Sequence, residues 1–240
     1  MADLQAIPSV SNLKRVIQFA VLFILLIVLP LGTVFYTNGG NDSFKVMIGE
    51  LHDYGEIPNF EFATHNGGTL TNDKLKSKVV VNAFFSLENK EKDFLALQLT
   101  KLHSIFNDND EVLFLLYSLS PESDNIEELK AFAEKSGLTD EEQFFLLRGS
   151  QQTIADHFAA GFKWPSNFDT REKNTALEFG AIPPGLKTYP YLVIADKTSM
   201  IRNYYDYKDN KAMGRLVEHM ALLLPSRVDD DPELRREQEK

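Results

Sequence analysis

The sequence contains no cysteine. A chain without cysteine forms no disulfide, offers no thiolate ligand to a metal ion and performs no thiol redox chemistry. It also lacks the residue that carries the lipid anchor of bacterial lipoproteins. The missing disulfides leave the compartment open, because a protein in an oxidising space does not require them.

Positive charge is also scarce, since 25 lysines and arginines stand against 35 acidic residues and give a formal net charge of −10. A nucleic-acid-binding protein needs a basic face, so we expect no nucleic-acid partner. The remaining composition is that of a globular protein, with 43% hydrophobic residues. A chain of 240 residues accommodates one ordinary domain and its attachments.

A long uncharged stretch runs from Val16 to Tyr36. As a helix rising about 1.5 Å per residue it would span about 31 Å, the thickness of a bilayer core. A cleaved signal peptide is the alternative, but its apolar core usually has about 7–15 residues and precedes a small-residue cleavage site. This stretch is longer and no such site follows it. We therefore predict an uncleaved transmembrane helix over residues 16–36.

The charges around this stretch predict its orientation. Lys14 and Arg15 are the only basic residues before it, and Asp42 is the first charged residue after it. The positive-inside rule then places residues 1–15 in the cytoplasm and the body of the protein on the other side. Residues 37–43, rich in asparagine and glycine, are typical of a flexible linker.

The body alternates short apolar runs with segments of helical periodicity. Strands are predicted at Ile57–Ala63, Thr69–Thr71, Val79–Phe85, Val112–Leu119, Phe144–Leu147, Tyr191–Ala195 and Ile201–Tyr205. A one-turn helix capped by Thr71 is predicted over Asn72–Leu75, and longer helices from Phe94 to about Asn107 and over Asn125–Lys135, Gln151–Ala160 and Asp209–Leu224.

This order of elements predicts βαβ units with parallel strands, followed by an antiparallel hairpin and a closing helix. It is the layout of a thioredoxin-like α/β fold over residues 44–225, with a central mixed sheet flanked by helices. Residues Gly161 to Thr188 interrupt it as an insertion with little regular structure. Residues 226–240 are mostly charged and are predicted to form a solvated tail.

Chemistry in open α/β folds usually occurs at the carboxyl ends of the strands. After Val79–Phe85, the residues Glu88, Asn89, Glu91 and Asp93 supply oxygen atoms that suit a weak calcium site, although a polar helix start is the favoured interpretation. Ser86 and Ser118 end two strands, but neither has a nucleophile elbow or an evident base. No two histidines have the spacing of metal ligands on one helix: His52, His65, His103, His157 and His219.

Several stretches of the chain together resemble the Sco (SenC) proteins, which are membrane-anchored thioredoxin-fold proteins that carry copper to cytochrome c oxidase. Their order and spacing cover nearly all of residues 50–225, and the predicted anchor fits the same family. The matching stretches are Tyr54–Phe60, Lys78–Phe85, Ser118–Asp124, Phe145–Gly149, Leu192–Lys197 and Ile201–Asp206.

The resemblance implies a copper site made by a Cys-x-x-x-Cys after the central strand and by a distant histidine. The positions of this chain that match those three ligands are Asn89, Asp93 and Thr188, whose oxygen donors do not replace the soft ligands of Cu(I). We therefore expect no copper binding, no cofactor and no enzymatic activity. Tyr189-Pro190 matches the position of the thioredoxin cis-proline, and an ordinary edge-strand proline is the equal alternative.

The resemblance and the lost ligands together predict a non-catalytic accessory or assembly subunit of a respiratory complex such as cytochrome c oxidase. The protein would sit in a bacterial inner membrane, with its helix in lipid and its domain in the periplasm. One alternative is a thioredoxin-like envelope scaffold with no link to respiration. Another is an enzyme or carrier with an unrecognised oxygen-ligand or serine site.

Overall fold

The computed structural model describes Gln18, Val21, Leu22 and residues 47–166, 177–180 and 189–224. The chain divides into two compact units, residues 1–47 and 48–240. Apart from the three isolated helical residues, the predicted membrane segment lies outside the described residues, as do the predicted linker and tail. No helix among the described residues is both long and apolar enough to cross a membrane.

The second unit is built on a seven-stranded mixed sheet. Its strands are β1 (Glu61–Thr64), β2 (Thr69–Thr71), β3 (Val79–Phe85), β4 (Val112–Ser118), β5 (Phe144–Arg148), β8 (Tyr191–Ala195) and β9 (Ile201–Asp206), and the strands β6 and β7 of a separate pair are described below. The strand order is β2-β1-β5-β4-β3-β8-β9. Strands β3, β4 and β5 are parallel to one another, and all other neighbours in the sheet pair antiparallel.

Four helices connect and close the sheet: α1 (Lys92–Phe106), α2 (Ile126–Ser136), α3 (Gln151–Gly161) and α4 (Asn210–Leu223). The start of α2 has a full capping box, in which Asn125 and Glu128 exchange side-chain and backbone hydrogen bonds. Its end is set by Gly137, which has a φ of 75° and so adopts the left-handed conformation open to glycine.

The sheet is covered on both faces, which explains why β3 and β4 are fully buried. Side chains of β3 alternate between two cores: Val81 and Phe85 join the core under α1, α2 and α4, whereas Val80 and Phe84 join the core under α3. The resulting α/β sandwich confirms the predicted fold class of the domain, a mixed sheet flanked by helices.

The first predicted strand is wrong in its bounds, because β1 begins at Glu61 and Ile57–Phe60 is irregular. Asn72 accounts for this: its side chain accepts the Phe60 N–H at 2.8 Å and donates toward the carbonyl of Pro58 at 3.2 Å. The one-turn helix at Asn72–Leu75 is a 3₁₀ helix, and Thr71 precedes it without making the predicted side-chain cap.

Upstream of β1, the chain lies against the start of β9. The backbone N–H groups of His52 and Tyr54 donate to the carbonyls of Arg202 and Ile201, and the Ile201 N–H donates to Gly55. The Asn203 side chain adds a hydrogen bond to the carbonyl of Glu50 at 3.1 Å. This stretch, residues 50–57, therefore covers the outer edge of the sheet where β9 begins.

The predicted insertion after α3 contains a short antiparallel pair, β6 (Trp164–Pro165) and β7 (Phe179–Gly180). The prediction of little regular structure holds for the described part of the insertion except for this pair, and the rest lies outside the described residues. The Tyr54 hydroxyl accepts the backbone N–H of Leu177 at 3.0 Å, which ties the segment before β7 to the chain beside β9.

Candidate functional site

The candidate site lies at the carboxyl edge of the parallel strands. Phe85 and Ser118 end β3 and β4 as direct neighbours, so the loops that follow them leave the sheet side by side. Three polar side chains are completely buried there, namely those of Ser86, Ser118 and Asp124. A buried polar group must be hydrogen-bonded to avoid a large desolvation cost, so their partners explain how this edge is built.

Asp124 is the centre of this edge. Its carboxylate accepts the Ser118 hydroxyl at 2.7 Å and the Leu87 backbone N–H at 3.2 and 3.3 Å. The Ser123 hydroxyl adds a longer contact of 3.3 Å. Because Leu87 follows β3 and Ser118 ends β4, the carboxylate ties together the two loops of the site.

Asn89 lies in the loop after β3, and its side chain is already engaged. Its carbonyl oxygen Oδ1 accepts the backbone N–H of Glu91 at 3.0 Å, a turn that leads the chain into α1. Glu91 in turn forms an ion pair with Lys208 at 2.6 Å and accepts the Tyr207 hydroxyl at 3.3 Å. These contacts confirm that Asn89 and Glu91 form a polar helix start and join it to the segment after β9.

The other two positions that match family ligands lie around this loop. Asp93 is exposed in the first turn of α1. Thr188 lies outside the described residues, but the backbone N–H of its neighbour Tyr189 donates to the Phe84 carbonyl at 3.4 Å, so Tyr189 lies beside the end of β3. The Tyr189–Pro190 peptide bond is trans, so the match to the thioredoxin cis-proline is not found here.

The donors at this edge do not fit copper. Asn89 and Asp93 offer only amide and carboxylate oxygens, and Cu(I) selects thiolate or thioether sulfur. The predicted alternative of a calcium site also finds no support, because Glu91 is paired with Lys208. Within residues 47–166, 177–180 and 189–224, no three histidine or acidic side chains lie close enough together to hold a metal ion.

The serines show no catalytic arrangement either. The Ser86 hydroxyl accepts the backbone N–H of Glu88 at 3.2 Å, and the Ser118 hydroxyl donates to Asp124. Both side chains are completely buried, so no substrate can reach either hydroxyl, and neither has a histidine beside it among the described residues. Both side chains therefore serve the loops of this edge.

The histidines serve separate parts of the fold. His103 pairs with Asp140 at 3.0 Å, and the Nδ1 atom of His65 accepts the backbone N–H of Leu146. His157 is buried in an aromatic cluster, and neither of its ring nitrogens has a hydrogen-bond partner among the described residues. Burial lowers the pKa of His157 to about 4, so its imidazole is neutral at physiological pH.

Asp124 is the residue at this site that the sequence did not single out, since it was named only as the last residue of the stretch Ser118–Asp124. The signal available was a serine at the end of a buried strand followed by an acidic residue in the next turn. That pattern does not identify the Leu87 N–H as a partner, because Leu87 lies 37 positions away from Asp124.

The backbone of this chain is similar to those of several solved structures. A SCO1/SenC family lipoprotein from Bacillus anthracis is 21% identical, with a TM-score of 0.56 over 71% of this chain and 95% of that one. BsSco, a member of the Sco family of cytochrome c oxidase assembly proteins, is 18% identical, with a TM-score of 0.57 over 72% and 95%. ScoI of Bradyrhizobium japonicum, solved with copper bound, is 16% identical, with a TM-score of 0.51 over 71% and 100%.

No family model matches the chain, and no curated protein matches it. The likeness therefore rests on the course of the backbone, which is shared along almost the whole length of those three structures. The domain described here has a Sco-like thioredoxin fold.

Proposed function

We propose that this protein is a Sco-like accessory or assembly subunit of a respiratory oxidase, which acts by contact and binds no copper of its own. The fold supports the Sco-like part, since the relatives it matches include cytochrome c oxidase assembly proteins. The chemistry of the carboxyl edge supports the other part, namely action by contact without copper binding. On this proposal the protein is not an enzyme and needs no cofactor.

The proposal rests on one observation: the polar side chains at this edge already form hydrogen bonds within the protein. The side chain of Asn89 is engaged in the turn to α1, and Asp124 accepts donors from both loops. The edge is thus stabilised by hydrogen bonds within the protein. Loops held in place in this way suit recognition of a partner better than the capture of a soft metal ion.

We further propose that residues 16–36 anchor the protein in a bacterial inner membrane, with residues 1–15 in the cytoplasm and the domain in the periplasm. The support is the uncharged stretch and the basic pair Lys14-Arg15 before it. Mass spectrometry of the mature chain from native membranes tests this. We expect the N-terminus within the first few residues, and a mature chain that starts near Thr37 would contradict the anchor.

Two measurements test the function itself. Mild-detergent purification from native membranes, followed by identification of co-purifying proteins, is expected to recover subunits of a respiratory oxidase. Recovery of other envelope proteins alone would favour the alternative of a scaffold unrelated to respiration. In parallel, a competition titration with a Cu(I) chelator is expected to show no transfer of copper to the purified chain, and stoichiometric binding would refute the non-copper role.

A further inference from the structure

The exposed face of α1 is unusually apolar. Within residues 48–224, the described large hydrophobic side chains that are exposed are Ile48, Phe94, Leu97 and Ile105, and the last three share this helix. Phe94, Leu97 and Ile105 expose 40%, 49% and 56% of their surfaces. A monomeric soluble domain rarely concentrates its exposed apolar residues in one place without a partner.

These three residues and Lys101 form one stripe, here called the α1 ridge. Their spacing of three, four and four residues keeps them on one side of the helix. The opposite side of α1 packs into the core through Leu95, Leu99, Leu102 and Phe106. The ridge is therefore a second apolar face, in addition to the face that folding itself uses.

Three exposed charges near the ends of the ridge oppose the helix dipole, whereas Asp93 in the first turn of α1 agrees with it. Exposed Lys90 precedes the amino end of α1, where the dipole favours anions, and exposed Asp108 and Asp110 follow the carboxyl end, where it favours cations. Among the described residues, the side chains of these three form no ion pair. This placement becomes favourable next to a helix that runs in the opposite direction.

We propose that the α1 ridge is covered by a second copy of this chain, with the two α1 helices packed antiparallel about a two-fold axis. If the axis passes level with Leu99, Lys90 lies opposite the partner's Asp108, and Leu97 lies opposite the partner's Lys101. Phe94 then lies opposite the partner's Ser104, one residue from the partner's Ile105. Each of these contacts occurs twice, as an interface with two-fold symmetry requires.

This pattern fits a second copy better than it fits a membrane surface. A negatively charged lipid headgroup would attract Lys90 and Lys101 but repel Asp108 and Asp110 at the other end of the ridge. An antiparallel copy pairs both ends of the ridge at once. The stem of Lys101 also supplies apolar cover for the partner's Leu97 while its ammonium group remains in water.

Cross-linking through an introduced cysteine tests this interface directly. Because the chain has no cysteine of its own, a single introduced thiol reports on one position only. Lys101→Cys places a thiol near the proposed axis, and Ala155→Cys places one at an exposed position of α3 as a matched control. Both full-length chains are treated with a short bis-maleimide in mild-detergent micelles, with empty micelles in excess. We expect dimers from Lys101→Cys and few from Ala155→Cys.

Charge reversal in the Lys101→Cys background tests the antiparallel register. Lys90→Glu and Asp108→Lys each place like charges opposite each other, so each is expected to lower dimer yield by about fivefold or more. A mixture of the two variants, one carrying an affinity tag, brings opposite charges together again in the mixed dimer. We expect the dimer yield to recover in the mixed dimer and to stay low in the two homodimers.

Three results would overturn the proposal. Equal cross-linking of Lys101→Cys and Ala155→Cys would show random collision, and no rescue in the mixture would exclude the antiparallel register. Absence of cross-linking, together with protection of the Lys101→Cys thiol from maleimide by phosphatidylglycerol vesicles, would assign the ridge to the membrane. None of these outcomes depends on the proposed respiratory partner, so the two proposals stand or fall separately.

Discussion

Replacement of Asp124 by alanine is expected to be the most damaging single change at the carboxyl edge. The substitution removes the acceptor of two donors, the buried Ser118 hydroxyl and the partly buried Leu87 backbone N–H. A buried donor left without a partner costs about 1–3 kcal/mol and a partly buried one costs less, so Asp124→Ala should lower the free energy of unfolding by about 2–5 kcal/mol. Asp124→Asn keeps one acceptor oxygen and should lower it by about half as much.

A double-mutant cycle separates this contact from other effects of the substitution. Ser118→Ala removes one donor and leaves Asp124 bonded to Leu87, so it should cost about 1–2 kcal/mol. The coupling energy between positions 118 and 124 should be about 1.5–3 kcal/mol, because the hydrogen bond involves a charged group. Additive effects of the two changes would show that the contact contributes nothing.

Urea denaturation of the full-length chain in detergent micelles measures these values. The single tryptophan, Trp164, lies against Tyr189 and Tyr191 and provides a fluorescence signal for unfolding, with far-ultraviolet circular dichroism as a second signal. Ser123→Ala is the matched control, since the Ser123 hydroxyl makes a long contact with Asp124 and an exposed hydrogen bond to the Ser120 carbonyl, so its loss should cost little. A loss below about 1 kcal/mol for Asp124→Ala would refute the argument from buried donors.

Three further predictions concern the core, pH and copper. Phe84→Ala removes a fully buried ring that stacks on Tyr117 at 4.7 Å, and it should lower the free energy of unfolding by about 3–5 kcal/mol in urea denaturation. His157 has a folded-state pKa of about 4, below its ordinary value of about 6.5, because it is buried. The contribution of its neutral imidazole to the free energy of unfolding is therefore complete above pH 6.5 and is lost as pH falls toward 4. That loss is about 3 kcal/mol, and urea titrations across this range should show it in the parent chain but not in His157→Phe. The triple change Asn89→Cys, Asp93→Cys and Thr188→His should create Cu(I) binding in a competition titration, and failure of it and of its one-residue shifts would show that the scaffold itself differs there.

The strands of the central sheet could be predicted closely from the sequence, because burial on both faces leaves a distinctive pattern. The predicted bounds of β3 and β8 are those of the structure, since each is an uninterrupted apolar run apart from Asn82. Asn82 fits within β3 because it donates to the Val193 carbonyl and accepts the Tyr117 hydroxyl. Local pattern also placed β4, which is buried along its whole length, but with its end one residue too late, at Leu119 rather than Ser118.

Elements that depend on distant contacts could not be predicted in the same way. Residues Ile57–Phe60 alternate like a strand, yet the side chain of Asn72 withdraws their backbone groups from the sheet. Glu91 was predicted as part of a helix start, which is correct, but its ion pair with Lys208 joins elements far apart in the sequence. In each case a side chain from another element determines the outcome, and periodicity carries no information about such a partner.

The stretch of chain over residues 50–57 limits the ways in which another protein can recognise this domain. It occupies the hydrogen-bonding groups at the start of β9, and the opposite edge strand of the sheet, Thr69–Thr71, is only three residues long. A peptide that binds by extending a sheet needs a longer row of free backbone donors and acceptors than either edge provides. Recognition of this domain should therefore proceed through side chains on helices and loops, and its specificity should respond to point substitutions there. The same protected edges should keep the sheets of two domains from joining edge to edge at high local concentration.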